Sequence, residues 1–522
     1  MEMDDDACYR AIATRDPRFD GRLFVAVRTT GIYCRPICPA PLPRRDQVRF
    51  YPTAAACQEA GFRPCLRCRP ETAPELGAWL GTGSTVSRAL GLIEDGGLDA
   101  SSVDALASRL GIGERQLRRL FRQHLGASPI TVAQTRRILL AKQLIHETRL
   151  PMIEVALAAG FRSVRRFNEI FQQLFGRPPS AIRRSGVIEE PVDRSGAIRL
   201  TLSYRPPFDW DSLWAFLHAR AIPGVEAVTP GRYLRSIGIG SSAGAIVVEP
   251  EPGARLAITI RFPDLRALPV IIARVRRVFD LAADPVAIGE HLRCDPLLAP
   301  LVAARPGLRV PGAWDGFELA VRAILGQQIT VSAAAKLAEA LVAAHGQPIT
   351  DPVIRELGLT HVFPTPEQLA VADLAVIGMP KARRAALSSL GAAVVADPTL
   401  FGPRSDLETA IERLRALPGI GEWTAQYIAM RQLREPDAFP VADIGIARAF
   451  TARTGERPTP AQLLARAEQW RPWCAYAAMH LWASESHPAR SKENPPNDRR
   501  HAPTLVAGPP TDADRRSSHH HG

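Results

Sequence analysis

Four cysteines carry the most pointed chemistry in the sequence. Cys34 and Cys38 form C-x3-C, Cys65 and Cys68 form C-x2-C, and 26 residues separate the pairs. Two short-spaced thiolate pairs brought together in space complete the tetrahedral shell of a zinc ion. One outcome is a structural zinc knot. The other is reactive, because zinc keeps sulfur deprotonated whereas a free thiol of pKa ~8.5 is only a few per cent thiolate at neutral pH. A zinc-bound cysteine is therefore a nucleophile that needs no His or Asp partner. Cys8 and Cys57 lie outside the pattern and are expected in ordinary packing.

Arginine supplies the second chemistry. Lys plus Arg number 65 against 53 Asp plus Glu, a net charge of +12 that favours a polyanionic partner, nucleic acid first. Only four of the basic residues are lysines (Lys142, Lys336, Lys381, Lys492), so an amine nucleophile has few places to sit. In GERQLRRLFRQ, helical spacing puts Arg115, Arg118, Arg119 and Arg122 on one flank and turns Leu117, Leu120 and Phe121 inward, as a helix entering a major groove requires. The unit occurs twice: VDALASRLGIGERQLRRLFRQHLG is echoed by MIEVALAAGFRSVRRFNEIFQQLFG, which carries Arg162, Arg165 and Arg166. This is a duplicated helix-turn-helix. Further on, LPGIGEWTAQYIAMR reads as helix, tight turn at Gly419 and Gly421, then helix, with glycines that let backbone amides approach a phosphate.

The elements that position these groups divide the chain into several modules. Residues 1–78 hold the cysteines, a Gly/Pro/Ser-containing connector follows from Pro70 to Ser84, and residues 85–184 are helical and Arg-rich. Within 197–305 the periodicity changes to strands: AIRLTLSYR places Ile198, Leu200, Leu202 and Tyr204 on one face, and ARLAITIRF does the same with Leu256, Ile258, Ile260 and Phe262. Strand signals fade after Pro311, and residues 311–486 read as an all-helical domain. The tail 487–522 is too polar and Pro-rich to bury a core and is expected to be disordered. The acidic start has no signal-peptide pattern and no apolar run reaches the ~18 residues of a membrane span, so a cytoplasmic, nucleoid-associated monomer without a membrane partner is expected.

Longer motifs add a resemblance. FDGRLFVAVRTTGIYCRPICPA and AGFRPCLRCRP look like the methyl-acceptor module of the Ada family, and SVRRFNEIFQQLFGRPPSAIRR resembles the closing signature of AraC-type DNA-binding domains, which follow that module in Ada proteins. From about residue 197, AVRAILGQQIT, FPTPEQLA, IGMPKARR, LPGIGEWTAQYIAMR and WRPWCAYAAMHLW fall in the order of AlkA-type 3-methyladenine glycosylases. The implied fold is multidomain: a small α+β zinc module, an all-α double helix-turn-helix, a TBP-like α+β subdomain and an all-α helix-hairpin-helix domain.

The resemblance also implies roles. Cys34 would take a methyl group irreversibly from a DNA methylphosphotriester while Cys38, Cys65 and Cys68 remain zinc ligands, and the cluster's formal charge would move from −2 to −1, raising affinity for promoter DNA. Asp443, 22 residues after Gly421, would be the catalytic carboxylate, and it would also cap the helix that follows. Trp423, Tyr427 and Trp482 would receive a flipped alkylated purine of the 3-methyladenine or 7-methylguanine type. Gly419, Gly421 and Thr424 would grip the backbone, and Gln328 would stand where the family inserts an apolar wedge. No lysine lies in 411–450, so a monofunctional N-glycosylase without lyase activity is expected, and no Pro-Cys-His-Arg motif implies O6-methylguanine repair. The alternative is an alkylation-responsive regulator whose C-terminal half only binds DNA.

Overall fold

In the computed structural model, which describes residues 4–74, 84–99, 101–184, 196–403 and 406–485, two short parallel strands bring the cysteine pairs together. Ile32–Cys34 pairs in parallel with Arg63–Pro64, and Phe24–Val27 joins Ile32–Cys34 to Val48–Tyr51 by antiparallel ladders. The parallel pairing needs a crossover, which helix Ala54–Glu59 supplies. The expected connector before Ser84, the segment following Arg184 and the tail 487–522 lie wholly or largely outside the described residues.

The helical module repeats itself in structure as in sequence. Val103–Arg109 leads to Glu114–Leu125, and Met152–Ala158 leads to Val164–Phe175, joined by the long helix Pro129–Glu147. Both arginine-bearing helices end on a left-handed glycine, Gly126 (φ 68) and Gly176 (φ 65), a conformation that costs other residues steric strain. Their inward stripes are Leu117, Phe121, Leu125 and Phe167, Phe171, Phe175, each at i, i+4, i+8.

The next unit is a five-stranded antiparallel sheet in the order 198–203, 255–261, 242–251, 232–239, 226–229. The alternation read in 198–203 and 255–261 holds, with Ile198, Leu200, Leu202, Tyr204, Leu256, Ile258, Ile260 and Phe262 all buried. The remaining strands escaped the sequence reading because the sheet is covered on both faces: Leu234, Ala245 and Val247 pack on Ile349, Ile354, Leu359 and Val362 of the helical domain. Strands buried on both sides do not alternate. On the other face, Leu200 and Ile258 share one core with Ile138 and Leu144 of helix Pro129–Glu147 and with Phe167 and Phe171. The helix-turn-helix and sheet modules are thus packed as one body.

After Pro311 the chain is helical apart from a two-residue pairing of 347–348 with 361–362. Among the described residues no helix is long and apolar enough to cross a membrane. Buried polar ties join the modules. Lys142 Nζ, fully buried, donates to Glu71 (2.5 Å) and to the Cys65 carbonyl (2.8 Å). Arg69 pairs with Glu147 (2.6 Å), whose other oxygen accepts from Thr201 N in the edge strand (3.0 Å). Arg88 pairs with Glu435 across the helix-turn-helix and C-terminal domains, both side chains 7 % exposed. Replacing Lys142 by Met strands the Glu71 carboxylate with Arg69 as its remaining cation, and should cost about 3 kcal/mol, read as an earlier denaturant unfolding transition; an unshifted curve would show that this tie contributes nothing.

Candidate active site and zinc centre

The hairpin comprises helix Leu407–Arg415, a turn, and helix Glu422–Ile428. Its two glycines serve different ends. Gly419 sits at φ +81 and a Cβ there would lie 2.7 Å from that of Ala386, so the fold itself demands glycine. Gly421 has φ −88 with open space where a side chain would point, so nothing inside the protein requires it. A bare backbone at this exposed turn suits an outside partner at close range.

Asp443 caps helix Ile444–Thr454, its Oδ1 accepting from Ile446 N at 2.9 Å. The same carboxylate accepts two indole N–H groups: Trp423 Nε1 donates to Oδ2 at 2.7 Å and Trp482 Nε1 to Oδ1 at 2.8 Å. Trp482 comes from helix Cys474–Glu485. It reaches the acid because Gly445 has no side chain; a Cβ there would lie 3.0 Å from Asp443 Oδ1 and 3.2 Å from Trp482 Cδ1.

The acid and both indoles line a cavity of about 770 Å³ between the sheet unit and the helical domain. Trp423 stacks on Tyr427 (centroids 5.1 Å, 13°), and Trp482 meets Tyr427 edge-on (6.4 Å). Burial alone would raise the Tyr427 phenol, but the charges of Arg431 and Arg220 outweigh it and hold its pKa below the ordinary value. Arg431 donates to the phenol oxygen at 2.6 Å, and both guanidinium groups lie over the Phe216 ring, at 4.8 and 3.9 Å. In the opposite wall, Arg235 and Arg322 are neutralised by Glu226 and Glu318, with Arg322 bonded to both (2.5 and 2.6 Å).

At the zinc centre the four Sγ atoms lie within 4.8 Å of one another. This fits four thiolates about one zinc, for which Zn–S bonds of ~2.3 Å bring the sulfurs to about 3.8 Å. Arg35 braces the strand end, bonding Asp20 (Nε to Oδ1, 2.8 Å) and Thr72 (2.6 Å). The sulfurs are not equivalent. Cys68 accepts from Arg35 N and Cys65 from Arg67 N, each at 3.3 Å. Among the described residues no backbone N–H reaches Cys34 Sγ. Donors to a thiolate stabilise it and damp its attack, so Cys34 and Cys38 are less quenched than Cys65 and Cys68, and Cys38 is the more exposed of the two.

The structure thus brings together Asp443, Trp423, Tyr427 and Trp482, and separately the four cysteines. Thr424 departs from expectation: third in its helix, it turns inward beside Ala425 and is 3 % exposed, so its side chain is not on the DNA-facing surface. Gln328 stands exposed at φ +60 on a loop tied to the hairpin through Gln327 Nε2 and the Gly419 carbonyl (2.7 Å); its neighbour Ile329, not Gln328, lines the cavity. Of the helix-turn-helix arginines, Arg115, Arg119, Arg122, Arg162, Arg165 and Arg166 are exposed; Arg118 pairs with Glu114, Arg122 with Glu59, and Arg165 and Arg166 with Glu169. Arg162 donates to the Asp99 carbonyl. Sequence reasoning missed Phe216, Arg220 and Trp314 at the cavity, which come from distant segments, and Arg431 and Glu485, whose i+4 spacing from Tyr427 and i+3 spacing from Trp482 were legible.

Four family models match in chain order: the metal binding domain of Ada (residues 7–71), a helix-turn-helix domain (106–185), the AlkA N-terminal domain (199–315) and the HhH-GPD superfamily of base excision DNA repair proteins (321–473). The probable bifunctional transcriptional activator/DNA repair enzyme AlkA of Mycobacterium tuberculosis is 41% identical over 94% of this chain and 98% of its own. The chain belongs to the Ada–AlkA fusion family. Its two halves have separate relatives in Escherichia coli: DNA-3-methyladenine glycosylase 2 (37% identical, 55% of this chain, 97% of that protein) and the bifunctional activator/repair enzyme Ada (38% identical, 24% of this chain, 34% of that protein). Membership makes this fusion a zinc-containing, DNA-binding repair protein.

The hairpin glycines provide a test. Gly419→Ala should lose about 1–3 kcal/mol of stability through left-handed strain and the Ala386 contact. Gly421→Ala should stay within about 0.5 kcal/mol yet weaken DNA binding; equal effects of the two on stability would contradict the separation of roles.

Proposed function

We propose that this fusion repairs alkylated DNA in two ways: its C-terminal half hydrolytically excises alkylated purines such as 3-methyladenine and 7-methylguanine, and its zinc module takes methyl groups from phosphotriesters onto Cys34. The observation that carries the first activity is the Asp443 carboxylate held by two indole N–H groups at the wall of an aromatic cavity. A flipped alkylated purine is cationic, and an electron-rich ring attracts a cation by ~0.5–2 kcal/mol, which favours damaged over normal bases. Such a base departs neutral and needs no protonation. Asp443 then supplies fixed negative charge against the positive charge developing on the sugar. With no lysine among residues 411–450, no amine is in place to form a Schiff base, and the product is an intact abasic site.

In the zinc module, Cys34, Cys38, Cys65 and Cys68 hold the metal, which when bound keeps their sulfurs as thiolates. Cys34 Sγ attacks the methyl carbon of a phosphotriester. The S–C bond forms as the C–O bond breaks, and the electron pair leaves on the phosphate oxygen. The absence of a backbone donor on Cys34 supports its choice over Cys65 and Cys68. The cluster loses one negative charge, so repulsion from phosphate falls and the adjoining helix-turn-helix grips promoter DNA more tightly.

Wild-type protein should release 3-methyladenine from methylated duplex DNA, Asp443→Asn should slow release by about 10²-fold or more, and borohydride added to either reaction should trap no covalent adduct. Release by neither protein would leave only a DNA-binding regulator. Mass spectrometry after incubation with methylated DNA should find one added methyl on the Cys34 peptide; a methyl on another cysteine, or on none, would refute the assignment.

A further inference from the structure

The Asp443 carboxylate is largely engaged by hydrogen-bond donors. Of the roughly four lone-pair sites on a carboxylate, Trp482 Nε1 and Ile446 N fill those of Oδ1 and Trp423 Nε1 fills one on Oδ2. Three of those sites are therefore already taken by protein donors. Hydrolysis nevertheless releases a proton from the attacking water.

A second carboxylate lies beside it. Glu485, on the helix that carries Trp482, lines the same cavity, and a side-chain carbon on Gly445 would lie 3.0 Å from Asp443 Oδ1 and 3.3 Å from Glu485 Oε2. The two acids therefore converge on one point, which the missing side chain of Gly445 leaves open. Among the described residues Glu485 accepts no hydrogen bond and forms no ion pair, so its lone pairs are free. The charged groups facing it are Asp443, Arg448 and Arg453, at or on helix Ile444–Thr454.

We propose that Glu485 is the base that receives the water proton in the excision reaction, while Asp443 holds the charge of the sugar. This rests on the glycosylase reading above. In the step, the C1′–N bond breaks with its electron pair passing to the cationic base, which leaves neutral. The water oxygen bonds to C1′, and the water proton moves to Glu485 and then to solvent. Partial burial raises the Glu485 pKa; Arg448 opposes this, Asp443 reinforces it, Arg453 opposes it, and the net shift is upward. A base acts when deprotonated, so activity is present above this raised pKa and is lost as pH falls through it.

The test is single-turnover release of 3-methyladenine across pH, using full-length zinc-loaded protein. Wild type should show an acid limb above the ordinary glutamate value of ~4.3. Glu485→Gln should lose at least about tenfold in rate at neutral pH and lose that limb. Glu485→Asp should be slower but keep the limb, which guards against a variant that merely folds badly. A Glu485→Gln protein with the wild-type rate, or a slowed one that keeps the acid limb, overturns the proposal. Wild type that releases no base overturns the glycosylase reading and this inference with it.

Discussion

A carboxylate fastened by two indoles is the interaction on which the C-terminal half depends. Removing Asp443 from bulk water beside aromatic rings would be costly if its oxygens went unpaired. Trp423, Trp482 and the Ile446 amide pair them. These donors come from three separate helices, so the hairpin, the helix that Asp443 caps and the closing helix must all meet at one point. The bonds also fix the acid's direction, and in the proposed reaction a fixed charge would need no reorganisation as a sugar cation formed. Gly445 is the steric condition for the meeting, since any side chain there would push against both the acid and the Trp482 indole.

The same logic of paired burial runs through the junctions between modules. Lys142 is one of four lysines in the chain, and it is fully buried between the zinc module and the long helix of the helix-turn-helix unit. Its contact with the Cys65 carbonyl puts it one backbone group from a zinc ligand. Glu147, on the same helix, extends the contact to the edge strand of the sheet. With the apolar core shared between Phe167, Phe171, Leu200 and Ile258, the helix that meets the zinc module through Lys142 is also one that supports the sheet.

What was legible in the sequence was whatever is encoded locally. The cysteine pairs announce zinc because each pair is closed by a tight turn. Strands 198–203 and 255–261 alternate because their partners cover one face in register, whereas 232–239 and 242–251 are buried on both faces and give no such signal. Asp443 and its three aromatic neighbours were reached only through the resemblance to AlkA-type glycosylases that the motifs carry. Phe216 and Arg220 could not be, because tertiary packing alone carries them to the cavity. Thr424 shows the limit of reading a motif without its phase: one helical step from the exposed turn, it already faces the core.

The most direct measurement is a crystal structure of the protein on duplex DNA containing a cationic azasugar in place of one nucleotide. The account predicts the azasugar extruded toward the cavity, its positive nitrogen against the remaining free side of Asp443 Oδ2, with both indole bonds to the carboxylate intact. An azasugar left stacked in the duplex, or bound with Asp443 turned away and its indole bonds broken, would contradict it.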